Sequence, residues 1–135
     1  MYLLDTVVLS ELRKRERATS VVRWLGDKPA TSLFLSAVTI GEIERGIVRQ
    51  RAKDAAFAEA LEAWLNVTLR TFEDRILPVD AAVARRWGQM SARIGNDGAD
   101  LLIAATALEH GLTVATRNLR HFEPTGVAVV DPFAE

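Results

Sequence analysis

The chain has 135 residues, of which 49% are apolar and 26% charged, the balance of an ordinary soluble globular protein, and one domain over residues 1–135 is expected. There is no cysteine, which excludes a disulfide framework and thiolate metal ligation and fits a reducing cytoplasm. A net charge of −1 excludes a strongly basic nucleic-acid footprint, and no apolar run approaches the roughly 20 residues of a membrane span.

Tyr2–Leu4 reads as a short buried strand running straight into Asp5, which also breaks any signal-peptide shape. Val7–Arg17 follows as a predicted helix with Val8, Leu9 and Leu12 on one face, and 19–29 predicts a short helix stopped by Gly26 and Pro29. Residues 32–37 predict a second strand. It passes into a helix in which Ile40, Ile43 and Ile47 recur at helical spacing. A long amphipathic helix is predicted from Lys53 to about Arg70, with Phe57, Leu61, Trp64 and Leu65 on its apolar side. Residues 75–80 predict a third strand, 81–95 a helix, and 96–98 a turn. "ADLLIAATALEHG" predicts a buried helix ending on Gly111. "LTVATRN" predicts a fourth strand and "VAVVDP" a fifth.

Strands too apolar to alternate, separated by helices, predict an α/β fold with a mainly parallel sheet of four or five strands covered on both faces. Sites in such sheets form beyond the carboxyl ends of the strands. Asp5 follows the first strand, Glu42 opens the helix after the second, and Asp100 opens the helix feeding the fourth. Thr116, Asn118 and His121 follow the fourth strand.

Each residue also has a structural reading. "TIGE" matches a capping box, with Thr39 capping the helix and Glu42 reaching back. Asp100 fits an N-cap or a helix-dipole partner. Asp5 fits a cap less readily, because it reads as the last residue of its strand. Asn118 fits a turn, His121 a packed or surface histidine, and Asp97 a plain turn residue. Taken jointly, the acids say more. Three carboxylates about 5 Å apart repel by a few kcal/mol per pair at an effective dielectric near 20, so gathering them requires a cation. Oxygen ligands without cysteine or paired histidines suit Mg²⁺ or Mn²⁺ rather than zinc. Such a site hydrolyses phosphodiesters by activating a metal-bound water and offsetting phosphoryl charge, with a third acid orienting the water.

"LLDTVVLSEL", "SAVTIGEIERGI" and "DLLIAATALEHGLTVATRNLRHFE" resemble the signature blocks of PIN-domain ribonucleases. More narrowly, they resemble the VapC-type toxins of bacterial toxin–antitoxin pairs, including the FitB-like branch. The resemblance runs from Tyr2 to about Asp131 and implies one PIN-like α/β/α sandwich. It implies catalytic acids at Asp5, Glu42 and Asp100, with Mg²⁺ on Asp5 and Asp100 and support from Thr6, Thr116, Asn118 and His121. The fourth polar position, often acidic in the wider family, falls where Asn118 and His121 stand. Val7 replaces an asparagine frequent beside the first acid. The implied function is endoribonuclease action on cellular RNA such as tRNA, by a homodimer restrained by an antitoxin whose C-terminal segment fills the acidic groove. Fourteen of the 17 basic residues are Arg. Arg13, Arg45, Arg49, Arg117 and Arg120 lie near the motif blocks as RNA-phosphate candidates, or as solvated charges.

Two other readings stand beside this one. A phospho-receiver domain has nearly this length, but it needs an acidic pair at the first strand and a lysine after the fifth. Here Lys14, Lys28 and Lys53 all lie in the first half. A PIN-like module that only binds RNA or a partner differs from the enzyme in lacking metal-dependent cleavage. DNA cleavage by the same fold is not distinguished by sequence.

Overall fold

The computed structural model describes residues 1–134. Five parallel strands form one sheet: β1 (Tyr2–Leu4), β2 (Leu33–Ser36), β3 (Ile76–Leu77), β4 (Thr113–Ala115) and β5 (Val129–Val130), in the spatial order β3-β2-β1-β4-β5. Between them run α1 (Thr6–Glu11), α2 (Thr19–Gly26), α3 (Ala37–Arg51), α4 (Ala55–Thr71), α5 (Ala81–Ile94), α6 (Ala99–His110) and α7 (Leu119–Phe122). The chain builds outward from β1 through β2 to β3, then crosses back to the other side of β1 for β4 and β5. The reversal falls between β1 and β4. A phospho-receiver sheet places its third strand on the opposite side of the first from the second, so this order rules that fold out.

Right-handed crossovers move the helices to the other face when the direction of travel reverses, and two cores record this. Leu4, Leu33, Leu35 and Ala115 face one way, against Val8, Val21, Ile43, Ile47 and Leu65 of α1–α4. Leu3 and Val114 face the other way, against Val83 and Met90 of α5, Leu101 and Ile103 of α6, and Phe122 of α7. Alternation along β1 and β4 thus feeds two apolar layers, which is why neither strand shows a polar face in sequence. The α/β/α sandwich is as expected.

Several local expectations differ. The first helix ends at Glu11 rather than Arg17. The buried Glu11 carboxylate accepts from Ala18 N–H (2.8 Å) and meets Lys14 Nζ (2.9 Å), so it caps α2, whose own N-cap, Ala18, has no capping side chain. The basic run beyond it gains nothing from one more helical turn of like charges. Helix α3 begins at Ala37. Ser36 is the cap, accepting from Val38 N–H at 3.0 Å, so the Thr39–Glu42 capping box does not form. Helix α4 spans Ala55–Thr71 and is capped by Asp54. Its inward face is Ala58, Leu65 and Thr68, while Phe57 is exposed and Leu61 and Trp64 are half-buried. The short α7 had no counterpart among the sequence-predicted elements.

Candidate functional site

Asp5 lies one residue beyond β1, and its N–H still donates to Ala115 O (2.9 Å), continuing the ladder to β4. It is also the N-cap of α1: Oδ1 accepts from Thr6 N–H at 2.8 Å. The expectation that Asp5 fits a cap poorly was therefore wrong. Strand end and helix cap coincide because β1 passes into α1 with no loop between. Oδ2 accepts from Thr116 Oγ1 at 2.8 Å, and Thr116 Oγ1 accepts in turn from Asn118 N–H at 2.9 Å. The side-chain pair Asp5–Thr116 thus spans the gap between β1 and β4, at the point where strand order reverses.

Asp5 is only 4% exposed. Burial pushes its carboxyl above the ordinary aspartate value, since desolvation disfavours the charge. Hydrogen bonds from Thr116 and from Thr6 N–H pull it back, and the charges of Asp100 and Glu42 raise it further. The three acids therefore share one electrostatic environment even though they come from three separate segments.

Thr6 joins two of them. Its N–H serves Asp5, while its hydroxyl donates to Glu42 Oε1 at 2.6 Å and lies 3.4 Å from Thr39 Oγ1. Glu42, freed from capping duty, is held by α1 instead. Asp100 is the second residue of α6, behind a Gly98 cap that has no side chain to offer; it is a first-turn acid and not the N-cap. Its Oδ2 lies 2.8 Å from His121 Nδ1.

Two depressions meet at Glu42. A groove of about 530 Å³ is bounded by Glu42, Asn96, Asp100, Arg120 and His121. Asp5 lies beyond its lining, one residue away through Thr6. A second, more apolar groove of about 260 Å³ runs from Thr6 and Glu42 past Arg13 to Phe57, Leu61 and Trp64. Arg13 stacks over Phe57, 5.4 Å from the ring centroid.

Of the sequence-predicted residues, Asp5, Thr6, Glu42, Asp100, Thr116 and His121 come together. Asn118 contributes its backbone N–H, with its side chain exposed. Arg120 borders the acidic groove and Arg13 the apolar one. Arg117 stacks 3.9 Å over Phe133 and is also close enough to Glu11 to lower that carboxyl. Arg45 and Arg49 are exposed on α3 and border neither groove. Sequence reasoning took Thr39 as a cap and missed its place beside Thr6; it left open that part of the apolar stripe over 57–65 serves a dimer or an antitoxin, without placing Phe57 and Trp64 in this groove. Their helical spacing was legible, but spacing does not say which of two faces turns inward.

Among the described residues, no three His, Asp or Glu side chains gather tightly enough to form a ready metal cage. Their chemistry still fits a hard divalent ion: the donors are carboxylate oxygens, and Mg²⁺ takes one or two of these and keeps several waters. Burial and the charges of two other acids disfavour the ionised form of Asp5, and an ion beside it would relieve that cost.

A wholly parallel α/β sheet with buried and half-buried acids at its switch point defines the class of fold and the place where its chemistry belongs. The PIN domain family model matches residues 2–126. A VapC ribonuclease of Sinorhizobium fredii is 34% identical over 140 residues, covering 98% of each chain. Toxin FitB of Neisseria gonorrhoeae is 37% identical over 140 residues, covering 98% of this chain and 99% of its own. The crystal structure of FitAcB from Neisseria gonorrhoeae matches with a TM-score of 0.81 at 37% identity, covering 100% of both chains. The chain belongs to the PIN-domain family, in the branch of the VapC and FitB toxins. No helix of the described residues is long and apolar enough to cross a membrane.

Proposed function

We propose that this protein is a Mg²⁺-dependent endoribonuclease, Mn²⁺ substituting, and the toxin of a toxin–antitoxin pair. The observation that carries the reading is Asp5: a carboxylate at the switch point, held by Thr6 and Thr116, that burial first and then the charges of Asp100 and Glu42 push up. Relatives named as a ribonuclease and as a toxin over the full length support the same reading. Asp5 and Asp100 are the residues that would hold the ion. When bound, the ion supplies an activated water and offsets charge on the phosphoryl oxygens.

The protein's own groups do the rest. Thr6 N–H and Thr116 hold Asp5 in one rotamer and favour its charged form against the pull of burial. Thr6 fixes Glu42 through Oε1, leaving Oε2 to orient the attacking water or take its proton. Arg120, at the rim of the groove, pairs with RNA phosphate. Water attack at phosphorus leaves a 5′-phosphate and a 3′-hydroxyl. A structured RNA such as tRNA is the expected substrate. The apolar groove beside Glu42 suits a partner segment from the antitoxin, with an Arg reaching into the acids. A homodimer is the expected form, and Val48 and Val67 are exposed apolar side chains available to a second copy.

The test incubates antitoxin-free protein with total RNA and with DNA, in Mg²⁺ or chelator, alongside Asp100→Asn. Discrete Mg²⁺-dependent RNA fragments with 5′-phosphates, absent in the variant, are expected, with DNA left whole. Intact RNA despite bound ion would make this a binding module. Equal cleavage by both proteins would refute the assigned site, and cleaved DNA would refute the choice of substrate.

A further inference from the structure

Among the described residues, His121 is the one nitrogen donor lining the acidic groove that touches an acid, and the proposed mechanism gives it no task. Its backbone is tied on both sides. His121 N–H donates to Asn118 O (3.1 Å), and Asn118 N–H donates to Thr116, the partner of Asp5. The next residue, Phe122, is fully buried in the core under α5 and α6, and Thr125 Oγ1 donates to its carbonyl. The imidazole is thus anchored at the groove rim with its Nδ1 against Asp100 Oδ2 at 2.8 Å. Its side chain is 58% exposed, so nothing packs it there for stability.

We infer that His121 Nδ1 is a metal donor beside Asp100 Oδ2, making the centre a mixed imidazole–carboxylate site that prefers Mn²⁺ to Mg²⁺. This rests on the metal-centre reading of Asp100. Two ligands at adjacent octahedral positions, each about 2.1 Å from an ion, lie about 3.0 Å apart. Nδ1 and Oδ2 already stand 2.8 Å apart, near that spacing. An ion takes imidazole in its neutral form, so any proton on Nδ1 leaves to solvent on binding. Mg²⁺ gains little from imidazole, because it dehydrates reluctantly and favours oxygen. First-row transition ions accept imidazole readily, and Mn²⁺ tolerates the remaining carboxylates as well.

The experiment uses the full chain without RNA. Mn²⁺ binding is titrated by electron paramagnetic resonance, with Mg²⁺ as competitor, for the wild type, His121→Ala and Asp100→Asn. Pulsed spectra of the bound Mn²⁺ are read for directly coordinated ¹⁴N. Near-ultraviolet circular dichroism checks that each variant is folded. The wild type is expected to show a ¹⁴N coupling. In His121→Ala that coupling disappears and Mn²⁺ binds about 10-fold more weakly or worse, while Mg²⁺ affinity changes by less than about 3-fold. Mn²⁺ bound by the wild type without ¹⁴N coupling, and lost in Asp100→Asn, overturns the role of His121 and leaves the metal centre standing. Equal weakening for both ions in His121→Ala also overturns it, since that result marks His121 as a residue that merely orients Asp100. Wild type and Asp100→Asn that both fail to bind Mn²⁺ overturn the metal centre itself.

Discussion

Thr116→Val is nearly isosteric and removes one hydroxyl from the centre of the site. Two bonds go with it. Asp5 Oδ2 loses the donor at 2.8 Å, and Asn118 N–H loses its acceptor at 2.9 Å. A hydrogen bond to a charged group is worth about 1.5–3 kcal/mol and a neutral one about 1 kcal/mol, so the metal-free protein should lose about 2–4 kcal/mol at neutral pH. For a chain of this length that is a fall in Tm of about 8–16 °C. The pH dependence is the sharper readout. The Asp5 carboxyl is already raised by burial, so its native form holds a proton more tightly than the unfolded chain does. The stability it contributes is present below the ordinary value of 3.8 and lost as pH rises through the native value. The Thr116 bond favours the charged form and opposes that loss. Removing it raises the native value further, so the penalty should grow as pH rises and shrink in acid to about 1 kcal/mol, the neutral bond alone. Thermal or urea unfolding in chelator, from about pH 4 to 8, measures this. A penalty of the same size at every pH would refute the assignment of Thr116 as a bond that favours the charged form of buried Asp5.

Two further perturbations test the frame around the site. Arg75 donates to Ala30 O (2.6 Å), Leu33 O (2.7 Å) and Thr71 O (2.8 Å), and lies 4.6 Å over the Phe72 ring. Arg75→Met should cost about 2–3 kcal/mol by urea unfolding, with little recovery in Arg75→Lys, because an ammonium cannot fork to three carbonyls; full recovery would contradict that. Hydrogen bonds from Lys14 and Ala18 N–H hold the Glu11 carboxyl below the ordinary value of 4.5. Its stabilisation is therefore present above 4.5 and lost as pH falls through the lowered native value. Glu11→Gln should flatten that part of the acid-unfolding profile, and an unchanged profile would show that the bond to Ala18 carries no charge-dependent stability.

The order of elements and the place of the acids were legible because each rests on local rules. Apolar runs too short for helices marked β1, β2 and β4, and an acid directly after a strand stood out on its own. The capping readings of Glu42 and Asp100 failed for a local reason as well, although Asp100 does stand in the first turn of α6, where a helix-dipole partner belongs. Ser36 is a better-placed cap than Thr39, and a Gly98 cap leaves Asp100 inside the helix. Asp5 showed that cap and site residue are not exclusive, since one carboxylate oxygen can serve each purpose.

By itself, the sequence determined the α/β class, the separation of strands by helices, and three acids placed where strands or helices begin and end. Only the tertiary structure decided that β4 lies beside β1, and this follows from a crossover spanning α5 and α6 that no local pattern encodes. That pairing sets Thr116 against Asp5, 111 residues apart in the chain. The burial of α1 against α3 likewise turned Glu42 from a presumed cap into a partner of Thr6. Side-chain type is written in the chain, but which oxygen meets which donor depends on how whole elements pack.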